Sequence, residues 1–363
     1  MPTLLYNIFM AKRITWIIND ATQVGGIERV ICNLSNYFID NNYKVKIISL
    51  NTTSGKAYFN LSSQVAIQHL GYPVEDNLKR KKLKSVLGDV IEKENATSDI
   101  IITCHPWIAM PILQQKKRFE GKVISMEHAA WEYYGKKRRI LNVAYYRRAD
   151  KLIVLTDYTR KIYQKYGLKN VVVIPNIITE YPDKLAPLTN QELIAAGRLT
   201  EVKGFDRLIY AIDLIKKDFD SWHVTIYGDG EDREALCNLI KERQLDHLIT
   251  IAHFTDHLQE KILNCSGFIV SSHSEAYPMV VLEAISSGVP VIGFNIPALR
   301  EMDQGKNVII LATQDNIEEL ADKIKNYIKS SDRRKLGIAA RELSQDLSLE
   351  KIGPIWIKMI DML

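Results

Sequence analysis

Two carboxylates, Glu275 and Glu283, have seven residues between them, Pro278 among these, in the run SSHSEAYPMVVLEAISSGVPVIGF, residues 271–294. Proline suits the first turn of a helix, where its missing N–H costs nothing. Glu275 then falls just before that helix and Glu283 about a turn and a half inside it. The free amides of a helix start seat a phosphate, and carboxylates, being acceptor-only groups, hold sugar hydroxyls. A second pattern, AAGRLTEVKGFDRLI at 195–209, sets Arg198 and Lys203 on either side of a strand-to-helix loop. Two fixed cations there can neutralise a diphosphate as it leaves. A third, NDATQVGGIERVICNLS at 19–35, puts Gly25 and Gly26 before a helix start and Glu28 just inside it. Paired glycines let backbone approach a ligand, although in isolation they read equally as a tight turn. A fourth, KVISMEHAAWEYY at 122–134, follows a strand with His128 and the aromatic trio Trp131, Tyr133 and Tyr134. His105, after the preceding strand, is a rival that reads as structural.

These residues need elements to hold them, and the chain alternates apolar runs with amphipathic ones. Strand patterns occur at 14–19, 45–50, 65–70, 99–104, 122–126, 151–156 and 170–175, with helical stretches such as 27–41, 78–95 and 157–167 between them. After a proline-rich break at 175–190 the rhythm resumes. Strands are expected at 192–197, 223–228, 248–252, 267–272, 289–294 and 307–311. The helices between them are expected near 204–217, 231–244, 256–264 and 279–287, with more from 315 onward. Such alternation predicts an α/β protein of two tandem Rossmann-like domains with a cleft between them. The expected boundaries are an N-terminal domain over 1–176, a linker over 177–190 and a C-terminal domain over 191–347. A last helix over 348–363 is expected to pack back toward the first domain. In such sheets ligands collect outside the carboxyl ends of the strands.

On these motifs the chain resembles the retaining glycosyltransferases of the family-4 kind, which have the GT-B fold. The match covers Glu275, Glu283 and the turn Gly288-Val289-Pro290-Val291, with Gly-Arg-Leu at 197–199, Lys203-Gly204, and Gly25-Gly26-x-Glu28. The resemblance implies that Glu275 contacts the donor sugar and Glu283 the nucleotide ribose. Backbone of Tyr277, Met279 and Val280 would face the diphosphate and sugar, with Pro278 offering only its carbonyl and ring. Arg198 and Lys203 would take the leaving diphosphate. Gly25 and Gly26 would close on the donor phosphates and shape the acceptor site, and His128 would lie beside the reacting centre. Gly228, in YGDGEDREAL, and the ends near His253 and Phe254 would surround the base. The resemblance also implies a reaction on the donor's front face, with no protein nucleophile, no cofactor beyond a UDP-sugar co-substrate, and no metal. Two departures stand out: Ala276, where many members carry glycine, and HFTD at 253–256, where the family often has glycine. The start, the His128 region and the basic front particularly resemble bacterial enzymes that extend lipid-linked oligosaccharides or exopolysaccharides.

Composition sharpens the partners. Of 363 residues, 46% are hydrophobic and 25% charged, as in ordered soluble proteins. The formal net charge of +5 conceals a split. Residues 1–180 carry 27 Lys and Arg against 15 Asp and Glu, the remainder 21 against 28. Basic runs at 78–84, 116–118, 136–139 and 147–148 read as solvated helix faces or as contacts with an anionic membrane surface. Nucleic acid is disfavoured, since no stacking aromatics interleave these runs. The membrane reading suits a saccharide acceptor linked to polyprenyl diphosphate. Four cysteines lying far apart with no Cys-x-x-Cys pair argue against a disulfide framework or cysteine metal cluster and fit a reducing compartment better. The acidic Asp229, Glu231 and Asp232 read as a helix start rather than a metal site. No run reaches the ~18–20 apolar residues of a membrane span, and the first residues make a poor secretion signal. A cytoplasmic, peripherally membrane-bound enzyme is expected, with Met10 a rival to Met1 as the native start. The competing classes are a GT-B nucleotide-sugar epimerase and a non-enzymatic sugar- or nucleic-acid-binding protein. A dehydrogenase is disfavoured, because Gly-x-Gly-x-x-Gly is absent.

Overall fold

The computed structural model describes residues 11–72, 80–179, 181–219 and 221–363; the question of Met10 and part of the basic run 78–84 lie outside them. Strand β1 (Arg13–Ile18) is an almost unbroken apolar run, because a parallel strand in the middle of a sheet is covered on both faces. It sits between β2 (Lys44–Ser49) and β4 (Ile100–Thr103), with Trp16 opposite Ile47 on one side and Ile102 on the other. Adding β3 (Ala66–His69), β5 (Lys122–Glu127), β6 (Lys151–Val154) and β7 (Val171–Val173) gives a seven-stranded parallel sheet of order β3-β2-β1-β4-β5-β6-β7.

The second sheet contains β8 (Glu192–Ala196), β9 (His223–Tyr227), β10 (Ile249–Ala252), β11 (Gly267–Val270), β12 (Val291–Phe294) and β13 (Ile310–Ala312). Its order is β10-β9-β8-β11-β12-β13, again all parallel. The two Rossmann-like domains expected from the alternation are therefore present. Each sheet reverses its strand order once, between β1 and β4 and between β8 and β11. These two reversals open the crevices where ligands enter such folds.

The helices bury one stripe each. In Gly26–Asp40, Val30, Ile31, Leu34 and Phe38 face the sheet, and Glu28 in the first turn complements the positive end of the dipole. Helices Pro106–Gln114, Lys136–Tyr146 and Pro297–Asp303 were not delineated by periodicity, being short or dominated by charge. The strand expected at 307–311 starts three residues later, at Ile310. The carboxylate of Asp303 accepts from the backbone N–H groups of Asn307, Val308 and Ile309 at 2.9, 2.7 and 2.8 Å, curling that segment around itself.

The connection after β7 is laid down on the second domain rather than spanning free. Ala186 N–H donates to the carbonyl of Ser287 at 2.9 Å, and Leu188 is buried in the second core. The chain then returns. Ile178 and residues 347–349 exchange backbone hydrogen bonds at 2.9 and 3.0 Å, and the helix Leu349–Asp361 lies against the first domain. There Trp356 packs edge-on to Trp16 and Phe38, and Tyr43 donates to Asp361 at 2.6 Å. No helix among the described residues is long and apolar enough to cross a membrane.

Candidate active site

The loop after β8 begins at Gly197 and is stitched to the loop after β9: Gly197 N–H donates to the Tyr227 carbonyl at 3.0 Å and Leu199 N–H to that of Asp229 at 2.9 Å. A Cβ on Gly228 would meet the Gly197 carbonyl oxygen at 1.9 Å, so only glycine permits this contact. Lys203 closes a single turn of 3-10 helix, and Gly204 follows it in the left-handed region at φ 57°. A side chain on Gly204 would also collide with the carbonyl of Ser271, at 2.5 Å. That close approach brings Lys203 to the loop after β11. Its ammonium lies 2.6 Å from Glu275 Oε1, and the Ser272 hydroxyl donates to the same oxygen at 2.6 Å. Arg198 stands exposed on the same loop as Lys203. The two cations expected to act together are thus set differently: one clamped to a carboxylate, the other presented to solvent.

Beneath this group runs Arg207. It is buried, stacked 3.7 Å from the centre of the Phe294 ring, and donates to the Ser271 carbonyl at 3.1 Å and to Asp315 at 2.8 Å. Burial pulls its pKa below the ordinary value. Its role is to hold the start of the loop that carries Glu275.

The helix after that loop starts at Met279, with Pro278 as its N-cap rather than within the first turn as expected. Pro278 has an extended ψ of 120°, so the helical bonds cannot begin before Met279. The amides of Met279 and Val280 have no intrahelical acceptor, whereas the Val281 N–H donates to the Pro278 carbonyl at 3.1 Å. The Tyr277 ring is buried in the second core, and its carbonyl accepts from Asn176 at 3.0 Å in a buried hydrogen bond. Four residues into the helix, Glu283 forms an ion pair with Arg29 of the first domain. The ribose role implied for Glu283 therefore falls on a group already engaged across the cleft.

Gly25 and Gly26 arrive from the opposite side. Gly25 caps the helix Gly26–Asp40, and a Cβ on Gly26 would lie 3.1 Å from Met279 Cγ. Two helix starts thus meet across the cleft. Glu28 is buried beneath Gly25, and burial, reinforced by Asp20, raises its pKa. Further contacts join the domains: Glu301 accepts from the N–H groups of Asp157 and Tyr158 at 2.5 and 2.6 Å, and Tyr58 hydrogen-bonds Asp256.

The ends of β4 and β5 open into a cavity of about 480 Å³ lined by His105, Trp107, Glu127, His128, Tyr134 and Arg138 among others. His105, expected to be structural, shares this cavity with His128. Burial lowers the pKa of His105 to about 4; burial and the neighbouring His105 lower that of His128 to about 3. Both rings are neutral near pH 7, and each has a buried Nε2 without a protein partner among the described residues. His105 stacks on Trp107 with ring centres 5.9 Å apart. Glu127 accepts from the hydroxyls of Tyr134, Tyr146 and Tyr163 at 2.9, 3.1 and 3.3 Å, yet burial raises its pKa.

At the neighbouring carboxyl ends of β9 and β10, Asp229 binds the Arg233 guanidinium at 2.9 Å, His253 at 2.7 Å and the Phe254 N–H at 3.0 Å. Hydrogen bonds from Phe254 and then His253 pull its pKa down. No group of three or more His, Cys, Asp or Glu residues suited to a metal ion occurs among the described residues.

Known protein families match both halves of the chain. Residues 24–180 match the family described as "Glycosyltransferase Family 4", and residues 177–343 match "Glycosyl transferases group 1". The chain belongs to the family-4 kind of GT-B glycosyltransferases. An uncharacterized glycosyltransferase of Haemophilus influenzae is 27% identical over 95% of this chain and 99% of its own. The amylovoran biosynthesis glycosyltransferase AmsD of Erwinia amylovora is 27% identical over 77% of this chain and 80% of its own. Among solved structures, TarM superposes with a TM-score of 0.82 at 14% identity, covering 96% of this chain and 99% of that one. The pneumococcal O-GlcNAc transferase GtfA, solved with UDP and GlcNAc, gives 0.73 at 15% identity, covering 97% and 99%. Identities this low establish the fold alone.

Four residues of the candidate site in this glycosyltransferase were not singled out from the sequence. Arg207 had a signal, a lone arginine on the apolar face of the helix Phe205–Ile215. Glu127 had a weaker one, a carboxylate ending a buried strand. Arg29 and Asn176 had none, because their partners, Glu283 and Tyr277, lie more than a hundred residues later.

Proposed function

We propose that this glycosyltransferase moves a hexose or N-acetylhexosamine from a UDP-sugar to a hydroxyl of a saccharide linked to polyprenyl diphosphate. Transfer retains the anomeric configuration and needs no metal ion. The enzyme works in polysaccharide assembly, on the inner face of the cytoplasmic membrane. The observation that carries this reading is the gathering of Arg198, Lys203, Glu275 and the Met279 helix start at the β8/β11 crevice, facing Gly25 and Gly26. The relatives support its details: AmsD is named for amylovoran biosynthesis, and GtfA was solved with UDP and GlcNAc.

In this reading the donor diphosphate lies between the two helix starts, whose free amides and dipoles favour an anion. Arg198 offers a bidentate fork to the phosphates and Lys203 a compact charge. Lys203 also fixes Glu275, so the carboxylate is already oriented when the sugar hydroxyls arrive. The bond between the anomeric carbon and the β-phosphate oxygen breaks. The acceptor hydroxyl attacks from the same face and gives its proton to that departing oxygen. As the resemblance implies, no protein carboxylate attacks the sugar in this reading; Glu127 serves its three tyrosines and Glu275 pairs with Lys203 and Ser272. The acceptor sugar enters the histidine cavity, where Trp107 offers a stacking face and His105 and His128 offer neutral ring nitrogens. Contacts such as Glu301 with the helix Asp157–Lys165 keep the cleft closed, which excludes the water that would hydrolyse the donor.

A panel of UDP-sugars, assayed for UDP release with and without extracted lipid-linked saccharides, tests the proposal. One donor should release UDP rapidly only when acceptor is present. Release at the same rate without acceptor points instead to hydrolysis or epimerisation and overturns it.

A further inference from the structure

The outer face of the helix Lys136–Tyr146 is apolar at its middle and basic at both ends. Asn142, Val143 and Tyr146 are buried against the domain, whereas Ile140 is 67% and Leu141 41% exposed. Tyr133, just before the helix, is 68% exposed. Lys136 and Lys137 are exposed at one end, and Arg147 and Arg148 just beyond the other. No Asp or Glu occurs between Glu132 and Asp150. A helix on a soluble surface ordinarily turns its apolar residues inward; this one buries an inner stripe and presents a second apolar pair to solvent. The same segment supplies Tyr133, Tyr134 and Arg138 to the wall of the histidine cavity.

We infer that this face seats the enzyme on an anionic bilayer, with Ile140, Leu141 and Tyr133 entering the interface and the four flanking cations against lipid phosphates. The inference rests on the function proposed above and gives it a geometry: the lipid that carries the acceptor ends beside the wall of the cavity that takes its sugar. Both halves of the face match such a surface, since acyl chains accept the apolar pair and anionic headgroups the cations. A second copy of the chain fits poorly, because a twofold contact would set like cations against one another. Nucleic acid would use the cations and leave Ile140 and Leu141 without a role.

Vesicle flotation at low salt tests this, using phosphatidylcholine vesicles with and without phosphatidylglycerol. The wild-type enzyme should float with the anionic vesicles, stay behind with phosphatidylcholine alone, and lose binding as salt rises. Lys136→Glu with Lys137→Glu should weaken partitioning by tenfold or more, at about fivefold for each charge removed. Ile140→Ser with Leu141→Ser should weaken it at unchanged net charge while keeping the wild-type melting temperature, because both side chains are exposed. No flotation by wild type, or undiminished flotation by both variants, overturns the inference. So does binding to homopolymeric RNA in preference to the anionic vesicles. Acceptor-dependent UDP release in the same samples separates the two levels. Release without vesicle binding removes the membrane face alone, and vesicle binding without release for any donor supports the face while removing the transfer reaction.

Discussion

At the scale of single residues, Lys203 and Glu275 hold one another at 2.6 Å. Neither can be removed without releasing the other, so their losses should not add. Lys203→Met and Glu275→Gln should each lower kcat about 100- to 1000-fold, the range for removing one group that stabilises developing charge. The double variant should fall little further, and steady-state kinetics of the three variants checks it. Arg198, exposed and outside the pair, should behave as an independent loss. The histidines make a different prediction. Their folded pKa values, about 4 and about 3, lie below the ordinary 6.5, so the unfolded chain binds protons that the folded one refuses. Stability is therefore complete above about pH 6.5 and declines as pH falls toward 4. His105→Gln with His128→Gln should flatten that acid limb, as followed by denaturant midpoints across pH 4–7. The residue types of the site were legible in the sequence because each sits beside a local marker: Pro278, Gly204, Gly25-Gly26 or a strand end. Their pairings were not, because spacing along the chain says nothing about which loops of two sheets meet.

At the scale of elements, the loop bearing Glu275 owes its position to Arg207, which ties the Ser271 carbonyl to Phe294 and Asp315. Arg207→Met fills similar volume but leaves a buried carbonyl without its donor, at a cost of about 1–3 kcal/mol. The expected result is a lower melting temperature together with a raised donor KM, whereas a purely structural arginine would lower the melting temperature and leave KM unchanged. Most strands were readable because a parallel sheet covered on both faces demands continuous apolar runs. The exception was residues 307–311, where an apolar sequence is diverted by the Asp303 carboxylate, a side-chain contact no periodicity records. Helices such as Lys136–Tyr146 were obscured for the opposite reason, since their outward faces carry both charge and exposed apolar groups.

At the scale of the whole molecule, the domains touch through Arg29–Glu283, Gly26 against Met279, and Glu301 capping the helix Asp157–Lys165. Glu301 makes two charge-assisted hydrogen bonds across the interface, to the Asp157 and Tyr158 N–H groups. Glu301→Ala should therefore favour the open form, increase the radius of gyration in solution scattering, and raise acceptor-independent donor hydrolysis relative to transfer. An unchanged ratio of hydrolysis to transfer would show that this contact does not govern closure. Two domains were legible from the break at 175–190, yet that segment proved to be pinned along the second domain, with Ala186 and Leu188 buried there. The basic front and acidic back of the chain likewise say little by themselves. Their meaning depends on where Lys136, Lys137, Arg147 and Arg148 lie relative to Ile140 and Leu141.

The proposed reaction is transfer with retention from a UDP-sugar held at the β8/β11 crevice. Proton NMR of the glycosylated acceptor, formed from an α-linked UDP-sugar, tests it most directly through the anomeric coupling constant. The expected product is α-linked and fails to form with Glu275→Gln. A β-linked product, or α-linked product formed at the wild-type rate by that variant, would contradict it.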